Sequence, residues 1–179
     1  AMIIKLSSLL RTALDRDSSD LIPLQDELKF VGEYLDLEKM RFGSRLQIEW
    51  LIAAETCRLL VPQMILQPLV ENAIRYGVAS SREGGWIEIA ASAGNGILNI
   101  RVRNSVGGKT SIGTGVGLRN AEARLKYLYS GDASLHLAIA QERTAVVSLA
   151  LPALNSQPAG LRGRNVQTAL EGEDPLCAF

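Results

Sequence analysis

The chain has 179 residues, 47% hydrophobic and 5% aromatic, with 19 Lys+Arg balanced by 19 Asp+Glu and a single histidine. That length fits one domain plus attachments with a real core; the balanced charge offers no basic footprint for nucleic acid, and the few aromatics disfavour base stacking. No apolar run approaches the roughly 20 residues of a membrane span, no signal peptide is visible, and Cys57 and Cys177 are too few for a disulfide framework and suit a reducing cytoplasm. Ala1 before Met2 reads as an artificial leader, so the chain is expected to begin inside a longer protein.

Residues 2–16 place Ile3, Leu6, Leu9, Leu10, Ala13 and Leu14 at helical spacing, and Ser18-Ser19-Asp20 breaks the run. Pro23 opens a second helix, predicted to about Phe42, with Leu24, Leu28, Val31 and Leu35 near one stripe. Gly43 stands where a C′ glycine ends a helix. Core packing accounts for both helices; for residues 2–16 the alternative is the broken end of a two-helix dimerisation hairpin.

Residues 46–52 alternate as a strand, and Pro62 is placed as an early residue of a helix over 62–77. Two strands, 86–92 and 97–102, flank Gly94-Asn-Gly96, a hairpin turn signal. Residues 104–114 read as a polar, glycine-rich loop. A helix over 116–129 follows, carrying Leu118, Ala121, Leu125 and Leu128, and strands 134–139 and 146–151 close the pattern. The order predicts an α+β fold, a two-layer sandwich with helices on one face of a largely antiparallel sheet. Beyond it, Pro158, Gly160, Gly163, Gly172 and Pro175 punctuate a polar tail expected to be flexible. The expected division is a helical segment over 1–43, a main domain over 44–153 and a tail over 154–179.

Two stretches carry chemistry. In Gly113-Thr-Gly-Val-Gly-Leu-Arg-Asn120 a glycine-rich turn runs into an amphipathic helix. Glycines let the backbone approach a ligand closely, and free N–H groups at a helix start make an anion site suited to phosphate. In Val70-Glu-Asn-Ala-Ile-Arg-Tyr-Gly77 an apolar helix carries an acid, an amide and a base within one turn. Either stretch alone is weak, since a glycine run is often only a flexible loop and a helix asparagine only a solvated residue. As a pair they point to nucleotide phosphate. There is no Gly-x-x-x-x-Gly-Lys-Ser/Thr, and the glycines do not follow a strand of a βαβ unit, so a P-loop and a dinucleotide fold are both disfavoured.

From about Leu6 to Pro152 the chain resembles the C-terminal part of LytS-type sensor histidine kinases. Val61-Pro-Gln-Met-Ile-Leu-Gln-Pro-Leu-Val-Glu-Asn-Ala-Ile-Arg-Tyr-Gly77 resembles the family's N box, and Gly113-Thr-Gly-Val-Gly-Leu-Arg-Asn-Ala-Glu-Ala-Arg-Leu125 its G box. Pro23-Leu-Gln-Asp-Glu-Leu28 and Tyr34-Leu-Asp-Leu-Glu-Lys-Met-Arg-Phe-Gly43 match the segment joining the phosphoacceptor helices to the ATPase domain. The resemblance implies the Bergerat-type ATP-binding fold shared by gyrase, the mismatch-repair ATPases and histidine kinases. It implies ATP and Mg²⁺ as ligands, a phosphoacceptor helix and a response regulator as partners, a homodimer in the full-length protein, and a cytoplasmic domain of a membrane-anchored sensor.

By this resemblance Asn72 is the magnesium ligand, its amide oxygen being a hard donor suited to that ion. Glu71 is a candidate base or an orienting group for Asn72. Gly113, Gly115 and Gly117, with Leu118 behind them, are expected to hold phosphates at the helix start, and Arg75, Lys109 and Arg119 to reach them, the alternative for these cations being plain solvation. In ATP-hydrolysing relatives a glutamate four residues before the magnesium asparagine activates water; that position is Pro68, which argues against a dedicated hydrolase. Asn104 stands where the wider pattern has the adenine-binding aspartate. Its amide can accept the adenine amino hydrogen bond without a carboxylate's charge, so replacement by aspartate is expected to tighten ATP binding. His136 falls in a predicted strand, not on a phosphoacceptor helix. The expected function is the ATP-binding catalytic domain of a two-component histidine kinase, inactive alone; the rivals are a nucleotide-gated interaction module and an ATPase of the same fold.

Overall fold

A computed structural model describes residues 21–107, 116–140 and 143–156. The element order is β1 (Leu21–Pro23), α1 (Leu24–Phe42), β2 (Leu46–Ile52), β3 (Leu60–Pro62), α2 (Gln67–Ala73), β4 (Gly85–Gly94), β5 (Ile97–Ser105), α3 (Val116–Tyr129), β6 (Ser134–Ala140) and β7 (Thr144–Pro152). The principal sheet has five strands in the order β2-β4-β5-β7-β6. Only β2 and β4 run parallel; the other pairings are antiparallel.

Alternation decides which face is covered. Ile87, Ile89 and Ala91 of β4, Leu98, Ile100 and Val102 of β5, and Val147, Leu149 and Leu151 of β7 are buried on one face. Against them pack Leu24, Leu28, Val31 and Leu35 of α1, Leu69, Val70 and Ala73 of α2, and Leu118, Ala121 and Leu125 of α3, in one continuous core. The expected two-layer α+β sandwich is present. The β4–β5 turn follows Gly94-Asn-Gly96, with Asn95 at φ 53 and Gly96 at φ 75, and α1 stops at Gly43 with φ 60.

Several details depart from the expectation. A small second sheet pairs β1 with β3. Pro62 closes strand β3 and does not begin a helix; the helix starts at Gln67, with Pro68 in its first turn. Past Ala73 the backbone widens, and the Ala79 N–H bonds to the Ile74 carbonyl at 2.9 Å, five residues back. Strand β5 also runs on to Ser105, so Asn104 is a strand residue and not the first residue of a loop. Cys57 is buried. No described helix is long and apolar enough to cross a membrane.

Candidate functional site: the face of the Asn72 helix

Helix α2 is the centre of the candidate site. Leu69, Val70 and Ala73 turn into the core, which leaves Pro68 and Asn72, one turn apart, sharing another face. Asn72 is 9% exposed, and its side-chain amide makes no hydrogen bond to another described residue. A nearly buried amide with no partner among the described residues has its oxygen available to a hard cation or to water. Glu71, on the next face, is exposed; its Oε1 accepts a hydrogen bond from Gln67 Nε2 at 2.7 Å. Arg75 is exposed, its guanidinium carbon 5.5 Å from the centre of the Tyr76 ring.

The start of α3 lies against this face. A Cβ built on Gly117 would come within 3.3 Å of Pro68 Cβ, so the two helices meet where α3 begins. Leu118 is buried and anchors that end, while Arg119 points outward. The structure therefore brings Pro68, one turn before Asn72, against the N-terminus of α3. Lys109, Gly113 and Gly115 lie outside the described residues.

Asn104 lies on the helix-bearing face of β5, beside Gly77. It is 2% exposed, and its Nδ2 donates to the Ser105 carbonyl at 2.9 Å, which leaves Oδ1 to accept. Gly77 packs directly on it: a Cβ there would stand 2.7 Å from Asn104 Nδ2 and 2.6 Å from Ser105 O. The glycine ending the Asn72 stretch thus lets the end of β5 approach the helix backbone. His136 lies elsewhere. It is exposed on β6 and pairs with Ser148, on the outward face of β7, so the sheet separates it from Asn72 and Asn104.

Two residues escaped the sequence reading. Glu27 of α1, with 0% exposure, accepts the Met64 N–H at 2.8 Å through Oε2 and the Leu66 N–H at 2.9 Å through Oε1. Arg124 of α3 donates through Nη1 to the Gln63 carbonyl. Burial lowers the Arg124 pKa, and the negative charge of Glu27 acts against that. The available signal was an acid inside an apolar stripe: Glu27 stands three residues after Leu24 and four before Val31, on the face that must be buried. Tyr34 of α1 also reaches toward α2. Burial raises its pKa above the ordinary tyrosine value, and the charges of Glu38 and Glu71 raise it further.

Comparison with known proteins places this architecture. A family model described as histidine kinase matches residues 1–46. The chain is 31% identical over 149 residues to the sensor histidine kinase BtsS of Escherichia coli strain K12, an alignment covering 82% of this chain and 26% of that protein. It is 31% identical over 159 residues to the sensor protein LytS of Staphylococcus haemolyticus, covering 81% of this chain and 27% of that protein. The chain thus spans about a quarter of the length of these curated relatives. Among solved structures, the catalytic domain of the histidine kinase ThkA aligns with a TM-score of 0.57 at 15% identity, over 75% of this chain and 96% of that one. Full-length ShkA in complex with AMPPNP aligns with a TM-score of 0.52 at 19% identity, over 92% of this chain and 39% of that one.

The fold is that of a histidine-kinase catalytic domain. Within that class, the chain belongs with the sensor histidine kinases of the LytS type.

Proposed function

We propose that this chain binds ATP with Mg²⁺ between helix α2, the start of α3 and the end of β5. In the longer protein it would supply the γ-phosphoryl group to a histidine on another segment, with a response regulator as the final acceptor. The observation that carries the reading is Asn72: a nearly buried amide, hydrogen-bonded to no described residue, on the helix face against which α3 begins. The bound analogue in the ShkA structure supports it as a property of that fold.

In this proposal Asn72 Oδ1 holds the metal, which neutralises phosphate charge when bound. The N–H groups opening α3 at Gly117 and Leu118, with Gly113 and Gly115 before them, bind phosphate oxygens and add the positive end of the helix. Arg75, Arg119 and Lys109 are assigned to the same anionic cluster. Asn104 Oδ1 accepts from the adenine amino group, its Nδ2 being already engaged by Ser105 O. Glu71, holding Gln67 across one turn, orients the Asn72 helix. Pro68 stands where a hydrolase of this fold has its water-activating glutamate, so the fitting acceptor is a side chain brought in from outside, not water. Dimerisation and a membrane anchor belong to the longer protein and remain part of the proposal.

The test is Asn72→Ala. It removes one polar group that bonds to no other described residue, so it leaves thermal stability within about 1 kcal/mol of the parent and removes most of the magnesium dependence of ATP binding. An Asn72→Ala variant that binds Mg-ATP like the parent would place the metal elsewhere.

A further inference from the structure

The segment Gln63–Leu66 joins β3 to α2 and so decides where the Asn72 helix begins. It is gripped from two sides. Glu27 of α1, wholly buried, takes the N–H groups of Met64 at 2.8 Å and Leu66 at 2.9 Å on its two carboxylate oxygens. Arg124 of α3 donates to the carbonyl of Gln63. Between the two grips Met64 has φ 56, a left-handed conformation that a non-glycine residue keeps only where its surroundings impose it. The first grip comes from the segment that the histidine-kinase family model covers, residues 1–46, and the second from a helix outside it. The helices that meet at this turn are therefore α1, which leads to the upstream part of the chain, and α3, whose start borders the proposed phosphate site.

We propose that Glu27 and Arg124 are positioning residues for nucleotide binding: together they hold the Gln63–Leu66 turn in its left-handed form, and through it couple the placement of α1 to the occupancy of the Asn72 site. The inference rests on the proposed ATP site and adds a route by which the upstream segment and the nucleotide act on each other. Such coupling is reciprocal: whatever factor a shift of α1 imposes on nucleotide affinity, the nucleotide imposes on the placement of α1. Glu27 does this through geometry. A glutamine in its place has one oxygen to accept and an NH₂ that faces a second N–H donor, so one of Glu27's two hydrogen bonds to the turn is lost without change of size.

The experiment measures Mg-ATP affinity for the parent, Glu27→Gln, Arg124→Lys and the double variant, with melting curves for each. Hydrogen exchange at the Met64 and Leu66 amides is followed in the parent with and without Mg-AMPPNP. The expected results are a loss of about fivefold or more in Mg-ATP affinity for each single variant that still melts cooperatively. The double variant should lose little more than the worse single one, because both act on one turn. Exchange at both amides should slow when the analogue binds. Folded variants that melt earlier yet bind Mg-ATP like the parent would make Glu27 and Arg124 structural only, and additive losses would separate the two residues; either overturns the proposal. If Glu27→Gln fails to fold, the parent decides, and amide exchange at Met64 and Leu66 that ignores the analogue rejects the coupling. A parent that binds no Mg-ATP at all would instead bring down the proposed site, and this inference with it.

Discussion

Asn104 uses a donor that an aspartate lacks. Its Nδ2 hydrogen bond to Ser105 O, at 2% exposure, shapes the end of β5 where Gly77 packs against it. The expectation that Asn104→Asp tightens ATP binding is therefore revised. The substitution removes the donor and sets a buried carboxylate against a carbonyl oxygen, a cost of about 1–3 kcal/mol. Chemical denaturation should show this loss, with no gain in ATP affinity; a variant as stable as the parent would mean that the amide faces the other way. Tyr129 offers the opposite case. Its hydroxyl is buried without a hydrogen-bond partner among the described residues, and burial pushes its pKa up to about 12. Tyr129→Phe removes an unsatisfied group and should be neutral or stabilising by up to about 1 kcal/mol, read as a shift in melting midpoint. At this scale Asn72, Asn104 and Gly117 were legible because local motifs contain them. Glu27 and Arg124 were not assigned roles, because their partners are backbone groups of a turn 37 or more residues away along the chain.

The elements divide by length and by what interrupts them. Helices α1 and α3, the β4–β5 hairpin and the β6–β7 pair follow apolar periods long enough to be read directly. Strands β1 and β3 have three residues each, too short for any period, and exist by pairing with each other. The misplaced start of α2 has a specific cause. Pro62 mimics a helix opening, but the buried carboxylate of Glu27 draws the Met64 and Leu66 N–H groups away from a helical path, and the helix begins only at Gln67. Packing of α1 into the main core makes a further expectation measurable. Leu28, 1% exposed, lies in the core cluster shared by all three helices. Leu28→Ala should cost 2–5 kcal/mol in a single cooperative unfolding transition, the range for truncating a buried leucine. A loss under about 1 kcal/mol, or a separate early transition for α1, would mean that the helix is not part of the core unit.

For the whole molecule, what matters is which groups the sheet keeps apart. Asn72 and Asn104 lie on the helix-bearing side, and His136, the chain's one histidine, is exposed on the outward face of edge strand β6. A phosphoryl group held at the proposed site therefore has no histidine within its own chain to accept it. Incubation with γ-labelled ATP should leave this chain unlabelled, and label on His136 would contradict the arrangement. The central claim, that the face between α2, the start of α3 and the end of β5 is a Mg-ATP site, is tested most directly by calorimetric titration of the chain with ATP in excess Mg²⁺ and again with the metal chelated. The account predicts one site per chain, with affinity at least about tenfold weaker without metal. Absence of binding, or an affinity indifferent to Mg²⁺, would contradict it.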